Sequence, residues 1–349
     1  MTGEPEVLCE HRGSAGLITL NRPKALNAIT LGMVRTIRRA LDAWAGDPAV
    51  DLVIIVAAGD RAFSAGGDIR DLYELGQAGR YDEALGFWRE EYALNLRIKR
   101  YSKAYVALID GLVMGGGVGV SLHGSHRIAG DRYRFAMPEV GIGFFPDVGA
   151  TYALPRLPGR IGTYLALTGA RVGPGDALGL GLATHRLPSA ELPRVTKALI
   201  AGHPVDEVLP AARTDEDGEL FGQRALIDGC FGQETVLAIL AALDREAEKG
   251  SVFARETAAT MRSKSPVSLA IALEQMRRGG SLTFEEAMRT EFRIVSRVIE
   301  GRDFYEGVRA AIIDKDGAPK WDPSALDFVA PGDIARYFEP LGVRELELV

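Results

Sequence analysis

The chain has 349 residues, 47% of them hydrophobic and 25% charged; 41 lysines and arginines stand against 47 aspartates and glutamates, for a formal net charge of −6. These are the values of a globular chain and exclude intrinsic disorder, and the negative balance argues against nucleic acid or an anionic membrane as a partner. Two cysteines, Cys9 and Cys230, are too few for a disulfide framework or a structural zinc site.

In chain order, the first residues are acidic and polar and carry neither a secretory signal nor an arginine-rich transit pattern, so the expected location is cytoplasmic. Gly16–Leu20 reads as a strand stopped by Asn21-Arg22-Pro23. Thr30 is placed to cap a helix to about Trp44, with Met33, Ile37, Leu41 and Trp44 on one face. Asp51–Ala57 is a continuous apolar run, as in a buried strand. Phe63–Asp68 turns into a second helix, and residues 80–100 have amphipathic helical spacing. Ala104–Ile109 is a further buried strand, followed by the glycine run 115–117 and a helix to about His123; His126–Ala129 and Arg134–Ala136 are short strands. The stretch 111–122 is too short and glycine-rich to span a bilayer.

Beyond about residue 160 the spacing is helical, over 160–180, 190–201, 233–249, 252–262, 266–278, 284–299 and 303–313, with an exposed joint at Asp215–Glu219. The expected architecture is an α/β core over 1–203 and a helical C-terminal region over 204–349.

Glycine is the compositional outlier, with 41 residues. Two segments concentrate it, Phe63-Ser-Ala-Gly-Gly-Asp68 and Gly111-Leu-Val-Met-Gly-Gly-Gly-Val-Gly119, each after a strand and before a helix. Backbone N–H groups from two such turns, converging on one oxygen, would make an oxyanion hole. Glycine turns also serve to relieve crowding, and the residues alone leave both readings open. No Lys-Ser/Thr follows to make a phosphate loop, and Ser121 lies outside any Gly-x-Ser-x-Gly elbow. Asp314-Lys-Asp316 lacks the downstream glutamate of a calcium loop, and no spacing suggests another metal.

Four motifs carry a resemblance: Asn21-Arg-Pro-Lys-Ala-Leu-Asn27, Ala62–Asp68, Asp110–Gly117 and Met137-Pro-Glu-Val-Gly-Ile-Gly143. The chain resembles the crotonase (enoyl-CoA hydratase/isomerase) superfamily. Within it, Glu90-Glu91-Tyr92, Phe145-Pro-Asp-Val148, Leu154-Pro-Arg-Leu157, Asp303–Arg309, Asp314-Lys-Asp316 and Pro319-Lys-Trp321 resemble the 3-hydroxyisobutyryl-CoA hydrolase branch. The resemblance implies a crotonase-like spiral of repeated β-β-α units with a helical C-terminal region. It implies an acyl-CoA substrate, with CoA part of that substrate and no cofactor. It implies oxyanion donors at the Gly67 and Gly116 N–H groups and CoA contacts at Arg22, Lys24, Ala25, Leu26, Phe63 and Ala65. Arg22 and Lys24 read equally well as solvated turn residues. The oligomeric state is left between a monomer and a trimer or hexamer.

Hydration of an enoyl-CoA uses two carboxyl groups. The position that holds the first in hydratases is Gly119 here, whereas Glu139 stands at the second. Asp147 brings a new carboxylate, joined to Glu139 by Val-Gly-Ile-Gly-Phe-Phe-Pro, an apolar loop able to raise a carboxyl pKa. Glu91 is a third candidate by family analogy, although Arg89-Glu-Glu-Tyr92 alone favours a solvent-facing ion pair for it, and Asp147 alone reads also as a turn residue. The implied activity is hydrolysis of the 3-hydroxyisobutyryl-CoA thioester, and of 3-hydroxypropionyl-CoA by the same logic, in valine breakdown. Glu139 and Asp147 would act on the thioester and Glu91 would select the substrate hydroxyl. The alternatives are enoyl-CoA hydration or isomerisation, and acyl-CoA binding without catalysis.

Overall fold

A computed structural model describes residues 4–209 and 218–348. Asp215, Glu216 and Asp217 of the expected joint lie outside the described residues; Glu219 begins a helix.

Among the described residues, nine strands form two sheets. The larger contains β1 (Val7–Arg12), β2 (Ala15–Leu20), β3 (Leu52–Ala57), β5 (Ala104–Ile109), β7 (His126–Ala129) and β9 (His185–Arg186), in that order. The smaller contains β4 (Ala62–Ser64), β6 (Leu112–Met114) and β8 (Arg134–Ala136). β1 runs antiparallel to β2, and all other pairings are parallel. Consecutive strands therefore alternate between sheets: β3 then β4, β5 then β6, β7 then β8. β4, β6 and β8 are followed, within three residues, by Gly67, Gly116 and Glu139.

The sequence patterns account for these elements. Thr30 Oγ1 accepts from Met33 N at 3.2 Å and starts α1 (Leu31–Ala45), whose buried face is Met33, Val34, Ile37, Leu41 and Trp44. β3 and β5 are buried along most of their length because they lie inside the parallel sheet. α2 (Ile69–Gln77) follows the first glycine turn, and α3 (Tyr81–Lys99) follows it. The expected helix after the triple glycine is a single turn, α4 (Gly116–Gly119), where Ser121 Oγ returns to Gly117 O at 2.7 Å. The helical stretch 160–180 is two helices, Ile161–Thr168 and Pro174–Gly179, because Gly169 closes the first in the left-handed conformation.

The chain divides into two compact units that interleave along the sequence. One holds the described residues of Met1–Asp68, Glu90–Ala136 and Arg171–Phe221; the other holds those of Ile69–Arg89, Met137–Ala170 and Gly222–Val349. A boundary at 203/204 thus follows element type along the chain, not compact units: β9 is the last strand, and every later described element is helical. The first unit is centred on Leu17, Ile54, Val106, Ile128, Val195 and Leu199, which pack as one apolar cluster around the larger sheet. In the second, the helices Pro266–Gly279 and Phe284–Val298 start at a Ser265 cap and a Thr283–Glu286 capping box.

Candidate active site

In the first unit the two glycine turns meet. Ile29 N donates to Gly66 O at 2.8 Å and Asp68 N to Ile29 O at 2.9 Å, so the backbone around Gly67 is held on both sides. Gly66 has φ +115° and Gly115 φ +43°, conformations that favour glycine. A Cβ on Gly116 would lie 3.3 Å from Gly67 N and 2.7 Å from Glu91 Oε1. Gly67, Gly116 and Glu91 therefore come together at one point. As the first residue of α4, Gly116 has no intrahelical acceptor for its N–H, and no described residue accepts from it or from Gly67 N–H. Gly117 is needed for packing: a Cβ there would sit 2.7 Å from both Cβ and O of Ser64.

Glu91 departs from what its residue type suggests. It is only 2% exposed, buried on α3. Its neighbour Glu90 lies at the surface and accepts from both Arg35 Nε at 2.8 Å and Arg35 Nη2 at 2.6 Å.

The 22–27 turn is fixed by Asn27, which accepts from Arg22 N at 2.8 Å and donates to Ala58 O and Ala62 O at 2.9 and 3.0 Å. Arg22 is committed inside this unit: it donates to Ala28 O at 2.7 Å and pairs with Asp68 at 2.9 Å and Glu6 at 3.0 Å. Its guanidinium braces the turn and is not a solvated group. Lys24 and Ala25 are exposed, and Leu26 is half-buried with φ +50°. Ala65 N donates to Leu26 O at 2.9 Å, which ties the two segments expected to meet CoA. The Phe63 side chain is fully buried in the core.

The second unit holds Glu139 and Asp147. Glu139 opens a short 3₁₀ turn, Glu139–Ile142, closed by Gly143 at φ +68°. A Cβ on Gly143 would lie 2.0 Å from Asp303 O, so this turn seats directly on the helix Asp303–Val308. Phe144 stacks on Trp88 with centroids 5.7 Å apart and lies 5.5 Å from Phe304. The loop is thus embedded among aromatic rings. Glu139 Oε2 is buried with no hydrogen-bond partner among the described residues. Burial, and then the negative charge of Asp147, hold the Glu139 carboxyl well above the usual glutamate range. Asp147 is 5% exposed.

Sequence reasoning did not single out Glu291 and Gln275. Both are completely buried. Glu291 accepts from Gly149 N at 2.8 Å and Thr151 N at 2.9 Å; Gln275 Nε2 donates to Pro146 O and to Thr151 Oγ1, each at 2.5 Å. The turn they grip contains Val148 at φ +52° and Gly149 at φ +91°; a β-branched residue there is strained by about 1–3 kcal/mol. Burial, and then the Asp147 charge, push the Glu291 carboxyl up to about 8 against the pull of its N–H donors. A signal existed: each falls on the buried stripe of its helix, Gln275 between Ala272 and Gly279, Glu291 between Ala287 and Val295. No group of three or more His, Cys, Asp or Glu side chains among the described residues could hold a metal ion.

Two glycine N–H groups beside a buried carboxyl, and a separate buried loop that carries Asp147 and Glu139, the latter with a raised pKa, are groups suited to acyl-group chemistry on a polarised carbonyl. Comparison with known proteins points the same way. The chain is 45% identical over 357 aligned residues to the mitochondrial 3-hydroxyisobutyryl-CoA hydrolase of Rattus norvegicus, covering 99% of this chain and 92% of that protein. A solved carnitinyl-CoA dehydratase from Mycobacterium thermoresistibile matches with TM-score 0.93 and 42% identity over 99% of both chains. A solved enoyl-CoA hydratase from Rhodobacter sphaeroides 2.4.1 matches with TM-score 0.93 and 43% identity, covering 99% of this chain and 100% of that one. The expected crotonase-like α/β fold with a helical C-terminal region is the one observed. The cytoplasmic expectation is corrected: the curated relatives are named mitochondrial proteins and point to mitochondria, and the composition of a few N-terminal residues carries too little information to oppose them. The model of the enoyl-CoA hydratase/isomerase family matches residues 15–338, and the chain belongs to that family.

Proposed function

We propose that the protein hydrolyses the thioester of 3-hydroxyisobutyryl-CoA, and of 3-hydroxypropionyl-CoA by the same logic, to the free hydroxyacid and CoA, a step of valine breakdown. The observation that carries this reading is the carboxyl pair of Glu139 and Asp147 on one buried loop, with Gly119 where a hydratase has its other glutamate. The name of the rat relative supports it.

In this reading the Gly67 and Gly116 N–H groups take the oxyanion role, each donor contributing about 3–4 kcal/mol of transition-state stabilisation. Glu139 takes a proton from water as the water oxygen bonds to the thioester carbon. Collapse of the tetrahedral species breaks the C–S bond, and the CoA thiolate recovers that proton. In the variant route Glu139 attacks directly, releases CoA thiolate and forms an anhydride that water then opens. Asp147 orients the water or the substrate hydroxyl. Glu91 pairs with that hydroxyl, so an analogue lacking it forfeits a hydrogen bond inside a buried site. Arg22, Lys24, Ala25, Leu26, Phe63 and Ala65 frame the CoA moiety, Arg22 by bracing its turn and Phe63 through its backbone. CoA enters as part of the substrate, and no other cofactor is needed.

Enoyl-CoA hydration is the second reading, favoured by the names of the two solved structures. A panel of acyl-CoAs separates the two. Release of free thiol, fastest from the 3-hydroxy substrates, is the outcome expected. Loss of the conjugated double bond of crotonyl-CoA without thiol release from any substrate would replace hydrolysis with hydration.

A further inference from the structure

Asp147 sits in a turn whose shape is imposed from outside. Val148 has φ +52° and Gly149 φ +91°, and a β-branched residue has no intrinsic reason to stay there. Four hydrogen bonds from two helices hold it: Gln275 Nε2 donates to Pro146 O and Thr151 Oγ1, and the Glu291 carboxyl accepts from Gly149 N and Thr151 N. Ala150 N closes the turn onto Asp147 O at 2.9 Å. The pinned groups thus flank Asp147 on both sides. Among the described residues, the hydrogen bonds of both the Glu291 and the Gln275 side chains all end in this turn. Both lie on helix faces otherwise filled by apolar or small residues, so a polar side chain at either position is matched to the polar groups of this turn and not to the surrounding core.

We propose that Glu291 and Gln275 are positioning residues that hold the 146–151 turn in the one backbone shape presenting the Asp147 carboxyl for hydrolysis. This rests on the role proposed above for Asp147. Neither residue touches the substrate; both act through Asp147. A purely structural role would lower stability alike whatever stood at 147. A positioning role makes the loss of turnover depend on the presence of Asp147.

A double-mutant cycle reads that dependence. Asp147→Asn alone should lower kcat for 3-hydroxyisobutyryl-CoA by at least about 100-fold. Glu291→Gln is nearly isosteric and sets an amide NH₂ against one of the two N–H groups. It should lower kcat about 10- to 100-fold and leave KM within about threefold, the size of effect expected when a reacting group is misplaced by about 1 Å. In the Asp147→Asn background, adding Glu291→Gln should change kcat by no more than about threefold. If the two losses multiply, or if Glu291→Gln leaves kcat unchanged, the positioning role is overturned while Asp147 keeps its own. If Asp147→Asn turns over like the wild type, the role of Asp147 falls and the clamp falls with it. Gln275→Met, which removes only the other two bonds, runs through the same cycle with the same expectation and carries the test if Glu291→Gln does not fold.

Discussion

Glu139 is a buried carboxyl, with one oxygen unpartnered among the described residues and the charge of Asp147 working against its ionisation. A base is useful only when deprotonated, so activity should fall on the acid side as pH drops through the Glu139 pKa, at a pH above the ordinary glutamate range. Asp147 raises that pKa, so removing its charge must lower it. The acid limb of kcat/KM, followed on the residual activity of Asp147→Asn, should move to lower pH than in the wild type. A limb that stays in place would mean that another group sets it. At this scale the sequence was legible only in part. Glu139 is readable because its neighbours are apolar. Glu91 misleads because Arg89, Glu90 and Glu91 look like a charged run. Its burial follows from helical spacing, which places it on the stripe with Trp88, Tyr92 and Asn95. Glu291 and Gln275 lie on such stripes too, and a polar residue there is the sign that the stripe faces a polar partner as well as a core.

The elements that matter are turns between regular segments, and their glycines divide by what a Cβ would meet. At Gly116 it would crowd Glu91 Oε1 and Gly67 N; at Gly117 it would strike Ser64 of β4, backbone included. The two positions should therefore fail differently. Gly116→Ala disturbs the paired N–H groups and should lower kcat about 100-fold, the usual cost of losing one oxyanion donor, with a small change in Tm. Gly117→Ala forces α4 away from β4 and should chiefly lower Tm. Equal kcat in Gly116→Ala and the wild type would remove the oxyanion role from this turn. The glycine runs are visible in the sequence, but which glycine approaches Glu91 and Gly67 and which abuts a strand is set by tertiary approach, which local composition does not encode. The single-turn α4 is likewise shorter than the helix to about His123 that the sequence suggests, and Ser121 Oγ donating to Gly117 O accompanies its earlier end.

For the whole molecule, the alternation of strand, turn and helix was legible because buried parallel strands appear as short apolar runs, whereas the second strands β4 and β6 were implied only by the family resemblance, since they are three residues long and sit beside the glycine runs. β1 was not legible, because this edge strand carries Glu10, His11 and Arg12 and buries little beyond Val7. The interleaving of the two compact units was also hidden, since chain order reports element type and not which distant segments pack together. The proposed hydrolysis rests on one carboxyl, and its substitution is the most direct test. Glu139→Gln preserves shape and removes the base. Free CoA release from 3-hydroxyisobutyryl-CoA should fall about 1,000-fold or more in kcat, with KM and the affinity for CoA within a few-fold of the wild type. Turnover by Glu139→Gln at the wild-type rate, in a protein that folds and binds CoA normally, would contradict the account.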